Sequence, residues 1–123
     1  VQLDADFLSF EEYSELLAYA HNIGLEVVVA IRNAEQLNYA QTAADIVAVV
    51  NYNLEDFTAD VQRSLQLVAQ LPKDKVLLAE GGVRTADEIR KLKSAGYHGV
   101  LLGNCLMSQA DPAAALQQLR SEL

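Results

Sequence analysis

The sequence VLLAEGGVRTADE, residues 76–88, contains an apolar run, a pair of glycines and a helix start, in that order. Val76–Glu80 predicts a strand, because near-continuous hydrophobicity suits a parallel strand that is covered on both faces. Thr85 and Glu88 have the spacing of a capping box, in which each side chain accepts a hydrogen bond from a backbone amide at the helix start. The stretch therefore predicts one strand–turn–helix unit of an α/β fold.

Similar units occur along the whole chain. Further strands are predicted at Val1–Asp6, Glu26–Ile31, Ile46–Asn51 and Val100–Gly103, and a second capping box begins at Ser9. Strands that alternate with helices imply βαβ crossovers and a parallel sheet, here with about five βα units in one domain of residues 1–123. Two architectures fit this pattern: part of a (βα)8 barrel, and an open, doubly wound sheet of the flavodoxin type.

Composition limits the classes of partner. The net charge of −8 argues against nucleic acid and anionic membranes as partners, since both require a basic patch. Cys105 is the only cysteine and is predicted to be a small core residue, which fits a reducing cytoplasm. The two histidines lie far apart and form no metal-binding motif, so we expect neither a metal nor another cofactor.

Two successive strand ends predict an anion site. Gly81 and Gly82 follow one predicted strand, and Gly103 and Asn104 follow the next. Glycine allows the backbone to approach a ligand closely, and exposed amides can hold a phosphate without net positive charge. The loops after the last two strands are the usual phosphate site of (βα)8 enzymes. We therefore expect phosphate or a sugar phosphate to bind these four residues.

Four stretches resemble the indole-3-glycerol phosphate synthase family. They are GLEVVVAI (24–31), VNYNLEDF (50–57), AEGGVRT (79–85) and GNCLM (103–107). The corresponding family stretches read GLEVLVEV, INNRDL, SESGI and GxxLM, in the same order. The resemblance implies a partial (βα)8 barrel that corresponds to strands four to eight, an origin in tryptophan biosynthesis and a carboxy-lyase type of chemistry. It also implies that the backbone amides of Gly82, Gly103 and Asn104 bind substrate phosphate.

The same resemblance implies that most catalytic groups are missing. Ala30 stands where the family has a glutamate, Val50 where it has an asparagine, and Tyr52 where it has an arginine. Gly81 stands in place of a serine, whereas Glu80 matches a family glutamate and is the candidate catalytic residue. Alanine and valine cannot transfer protons. We expect a segment that binds phosphate without catalysing the reaction alone. The alternative is a non-catalytic module, either a self-assembling half-barrel or a phosphate-binding module.

Strand alternation predicts an apolar inner face that needs a cover. Residues 28, 30, 46, 48, 50, 76, 78, 80, 101 and 103 should face inwards, with Glu80 the only charge among them. Burying five of the large apolar side chains of this set is worth on the order of 10 kcal/mol; they are Val28, Ile46, Val50, Leu78 and Leu101. The expected cover is a second copy of the chain in a homodimer, or a missing N-terminal half-barrel.

Overall fold

A computed structural model describes residues 1–123 and contains one five-stranded parallel sheet. The strands follow one another in space as they do in sequence, in the order β1 to β5. Each strand pairs only with its neighbours in the chain, as expected when every connection is a βα crossover. The strands are β1 (Gln2–Asp4), β2 (Val28–Ile31), β3 (Ile46–Val50), β4 (Val76–Glu80) and β5 (Gly99–Leu101).

The strand order decides between the two predicted architectures. A doubly wound sheet of the flavodoxin type has the order 2-1-3-4-5, so this alternative was wrong. The sheet is also curved. This is shown by a hydrogen bond of 2.9 Å from the side-chain amide of Gln2 on β1 to the Glu80 carboxylate on β4. In a flat sheet these strands would lie roughly 14 Å apart, at about 4.8 Å per strand spacing. The fold is therefore a segment of an α/β barrel.

Helices follow each strand as predicted. The two capping boxes are confirmed: Ser9 caps α1 (Phe10–Asn22), and Thr85 caps α4 (Ala86–Ala95). The crossover after β2 contains only a 3-10 turn, Ala34–Gln36, followed by a single α-helical turn. No helix of the chain has the length and apolar character that a membrane crossing requires. The remaining helices are α2 (Leu37–Ala40), α3 (Gln62–Leu67), α5 (Asn104–Met107) and α6 (Pro112–Ser121).

The hydrophobic core lies between the outer face of the sheet and the helices. The outward strand residues Val29, Val47 and Val49 are buried there, together with Tyr13 of α1 and Leu92 of α4. Burial of these apolar side chains is the main favourable term for a fold of this size. The predicted face assignment is correct, because the strand register places the inward residues side by side.

The inner face is less exposed than the sequence indicated. Ala30, Ala48 and Val50 are buried, whereas Val76 and Leu101 remain 43% and 44% exposed. Of the five large side chains that the prediction counted, Val50 is already buried, so a cover would contribute less than the predicted ~10 kcal/mol.

Two other predictions near the C-terminus need correction. Strand β5 ends at Leu101 and not at Gly103, which instead precedes the single turn of α5. Cys105 lies outside the hydrophobic core and is only half-buried. The polar step after Leu102 ends the strand early and brings this cysteine to a cavity wall.

Candidate functional site

The two predicted glycine turns lie together at the carboxyl ends of β4 and β5. Gly81 and Gly82 have φ values of 77° and 73°, a left-handed conformation that favours glycine. The Gly81 amide donates to the carbonyl of Leu101 at 3.3 Å, which ties this turn to the end of β5. The turns border a cavity of about 500 Å³ whose wall includes Gly81, Gly82, Gly103 and Asn104.

Two residues in the wall of this cavity have backbone N–H groups that form no hydrogen bond within the protein. The N–H groups of Gly82 and Gly103 donate to no acceptor in the protein, and the Asn104 side chain forms no hydrogen bond. By contrast, the amides of Arg84 and Thr85 both donate to the Glu88 carboxylate, at 2.7 and 3.0 Å. The amides of Arg84 and Thr85, just before α4, are thus engaged by the capping box and are not free to bind an anion.

An aromatic wall faces the turns. Tyr52 and Phe57 belong to the segment after β3, which folds back on itself through a bridge between Tyr52 and Ala59. Phe57 has a φ of 57° and is 77% exposed at the mouth of the cavity. This conformation costs a non-glycine residue about 1–2 kcal/mol. The wall of the cavity therefore includes both the glycine turns and aromatic rings.

Tyr52 and Gly81 are matched to each other. A Cβ atom on Gly81 would lie 2.5 Å from Cδ2 of the Tyr52 ring and closer still to Cε2. The ring thus occupies the space that any larger residue at position 81 would need. A tyrosine at position 52 in this place therefore requires glycine at position 81.

Glu80 does not lie in the wall of this cavity. Its carboxylate faces the inner side of the sheet, where it accepts the hydrogen bond from Gln2. The structure therefore brings together the four predicted phosphate-binding residues and places the candidate catalytic residue apart from them.

A charged cluster near Glu80 was missed by the sequence analysis. Arg32, directly after β2, pairs with both carboxylate oxygens of Asp4 at 2.6 and 2.9 Å and with Asp6 at 2.9 Å. Burial opposes the charged form of Arg32, but the hydrogen bond and charges of these aspartates outweigh it and raise the pKa of the guanidinium. An arginine immediately after a buried apolar strand was the available signal.

Comparison with known proteins identifies the family of the chain. The family model for indole-3-glycerol phosphate synthase matches residues 1–119. The chain belongs to the indole-3-glycerol phosphate synthase family. It is 38% identical over 117 residues to the synthase of Bacteroides thetaiotaomicron, and the aligned region covers 95% of this chain and 45% of that protein. It is 37% identical over 120 residues to the synthase of Campylobacter jejuni, with 97% and 46% coverage.

The chain spans about half the length of the curated synthases that it matches. A solved structure named "Native KDPGal structure" is similar with a TM-score of 0.61 and 24% identity, over 89% of this chain and 55% of that one. This likeness concerns the fold alone and agrees with a partial α/β barrel.

Proposed function

We propose that this chain is the phosphate-binding segment of an indole-3-glycerol phosphate synthase-like barrel and does not catalyse the reaction alone. The observation that supports it best is the pair of free amides, on Gly82 and Gly103, that border one cavity. Backbone donors suit an anion because they need no counter-charge and are fixed by the fold. The ligand we propose is a phosphate monoester, such as a sugar phosphate.

The missing proton-transfer groups support a non-catalytic role for the isolated segment. Ala30 and Val50 stand at family positions that hold a glutamate and an asparagine, and neither side chain can donate or accept a proton. Glu80 remains, but its carboxylate lies outside the cavity wall and is engaged by Gln2. Each absent acid or base is typically worth about 10²–10⁴-fold in rate.

The partner that we propose covers the inner face and the two open edges of the sheet. The support for a cover is the exposure of Val76 and Leu101 and the unpaired edges of β1 and β5. A second copy would bring the total to ten strands, whereas an N-terminal half-barrel would complete the family's eight. Both remain candidates, and a cytoplasmic location remains a prediction.

The test of phosphate binding is a substitution that adds bulk at the cavity wall without a steric clash. A Cβ at Gly103 meets nothing within 4 Å, so Gly103→Val adds bulk next to the free amide. Ala110→Val adds the same type of side chain at an exposed position outside the cavity wall and is the matched control. We expect calorimetric titration with inorganic phosphate to show binding to the wild type and the control, and at least tenfold weaker binding to Gly103→Val. Equal affinities for all three proteins would contradict the proposed site.

A further inference from the structure

A chain of buried hydrogen bonds ends at the turn between β4 and α4. The Tyr97 hydroxyl donates to the Ser64 carbonyl at 2.8 Å, and Ser64 donates to the Asn51 side-chain oxygen from both its hydroxyl, at 2.8 Å, and its amide, at 3.2 Å. The Asn51 side-chain nitrogen then donates to the Gly81 carbonyl at 2.8 Å. Asn51 and Ser64 are at most 1% exposed. Buried polar groups of this kind are costly unless they are paired, so the arrangement is strongly constrained.

The orientation of the Asn51 amide is fixed by its partners. The backbone N–H of Ser64 can only donate, so the Asn51 atom that faces it must be the oxygen. The side-chain nitrogen of Asn51 therefore faces Gly81 and donates to its carbonyl without any flip of the amide group. At the far end, burial raises the pKa of Tyr97 to about 12, so its hydroxyl remains a donor at neutral pH.

The Gly81 carbonyl and the Gly82 N–H belong to the same peptide group. This group is planar and trans, so its C=O and N–H bonds point in opposite directions. When Asn51 holds the carbonyl on the buried side, the Gly82 N–H must point away from Asn51. Gly82 lines the cavity and its N–H has no acceptor in the protein.

We propose that Asn51 is a positioning residue: through the Gly81 carbonyl it aims the Gly82 N–H into the phosphate cavity. This inference rests on the proposed function and identifies the side chain that orients a backbone donor before the ligand binds. Glycine at both 81 and 82 would otherwise leave this peptide free to rotate, since both residues tolerate either sign of φ. The side-chain hydrogen bond thus supplies the rigidity that the two glycines lack.

The test uses Asn51→Asp, with sulfate as the probe because sulfate stays doubly charged over the whole pH range of the experiment. The introduced carboxyl keeps the acceptor for Ser64, but when ionised it has no donor for Gly81. Asn53→Asp is the matched control, since Asn53 uses only its side-chain oxygen, as an acceptor from the Glu55 amide. At pH 7 we expect sulfate to bind Asn51→Asp at least tenfold more weakly than wild type, and Asn53→Asp within about threefold.

Lowering the pH provides a rescue that a purely structural role would not produce. Once protonated, the carboxyl introduced by Asn51→Asp can again donate to the Gly81 carbonyl, and the affinity relative to wild type should recover. If Asn51→Asp binds sulfate as tightly as Asn53→Asp at pH 7, the inference is overturned. If it stays weak after protonation while remaining folded, the inference is overturned as well.

Measurements without ligand separate this inference from the proposed function. The residual dipolar coupling of the Gly82 N–H reports the direction of that bond, and we expect it to change in Asn51→Asp but not in Asn53→Asp. If wild type binds no sulfate, the proposed function fails, and the coupling alone decides whether Asn51 orients the peptide. If Asn51→Asp does not fold, Ser64→Ala replaces it, with an expected loss of about threefold in affinity. An unchanged coupling and affinity in Ser64→Ala would then refute the inference.

Discussion

Replacing Gly81 with alanine should destabilise the fold by two separable effects. The left-handed conformation, with a φ of 77°, costs an alanine about 1–2 kcal/mol. The new methyl group would also overlap the Tyr52 ring, which must move from its place and lose its packing. Overpacking of this kind costs about 1–3 kcal/mol, so the total expected loss is about 2–5 kcal/mol.

The chain provides a matched control for the first effect. Gly24 has a φ of 82°, and a Cβ placed there meets nothing within 4 Å. Gly24→Ala therefore carries the conformational cost and the unfolded-state entropy change of a glycine-to-alanine substitution, but no clash. The difference between the two variants in the free energy of unfolding, measured with urea and circular dichroism, isolates the effect of the ring and should be about 1–3 kcal/mol.

A second background tests the assignment to Tyr52. In a Tyr52→Ala protein the ring is absent, so Gly81→Ala should cost no more than Gly24→Ala. The reasoning is refuted if Gly81→Ala and Gly24→Ala are equally destabilising in the wild-type background. It is also refuted if the difference between them persists after the ring is removed, because the clash would then have another source.

Three further predictions concern ionisation, catalysis and assembly. The free energy of unfolding should fall as pH rises from 10.0 to about 12, because over this range Tyr97 ionises only in the unfolded chain. Tyr97→Phe should lack this part of the decrease in stability. The same pH dependence of stability in both proteins would contradict this prediction. The isolated chain should form no measurable indole-3-glycerol phosphate from the family substrate, and turnover by protein free of host enzyme would refute this. Sedimentation equilibrium at micromolar concentrations should give a mass above the 13.4 kDa of one chain, whereas a mass of 13.4 kDa would argue against a homodimer.

The strands and helix starts could be predicted because their signals are local. Val76–Glu80 forms β4 with the predicted bounds, since its apolar run ends at a charged residue followed by two glycines. Ser9 and Thr85 cap helices because each has a glutamate three residues later. The order of the strands was not fixed by such signals, because barrels and doubly wound sheets share the same βα repeat.

The contacts that were missed join residues that are distant in sequence. Arg32 meets Asp4 only because β1 and β2 are neighbours whose carboxyl ends lie at the same edge of the sheet. Likewise, the hydrogen bond from Asn51 to Gly81 spans 30 residues and depends on the pairing of β3 with β4. The position of Arg32 directly after an apolar strand is a local signal, but it does not identify the partner, so both pairs become visible only once strand order and register are known.

The prediction that Cys105 lies in the core was wrong for a different reason. The apolar sequence around it predicted a core strand that runs to Gly103, but β5 ends at Leu101. Hydrophobic periodicity cannot distinguish a short buried strand from a half-exposed turn next to a cavity, because both are rich in apolar residues.

The most direct test of the phosphate site is a titration of the ¹⁵N-labelled chain with inorganic phosphate, followed by amide chemical shifts. We expect saturable shifts of the Gly82, Gly103 and Asn104 amides, because these residues border the cavity and two of them have free N–H donors. The Gly24 amide, which donates to the His21 carbonyl at 3.0 Å outside the cavity, should not shift. Saturation of all three with one dissociation constant would support the site. The absence of any shift at Gly82 and Gly103 at millimolar phosphate would contradict it.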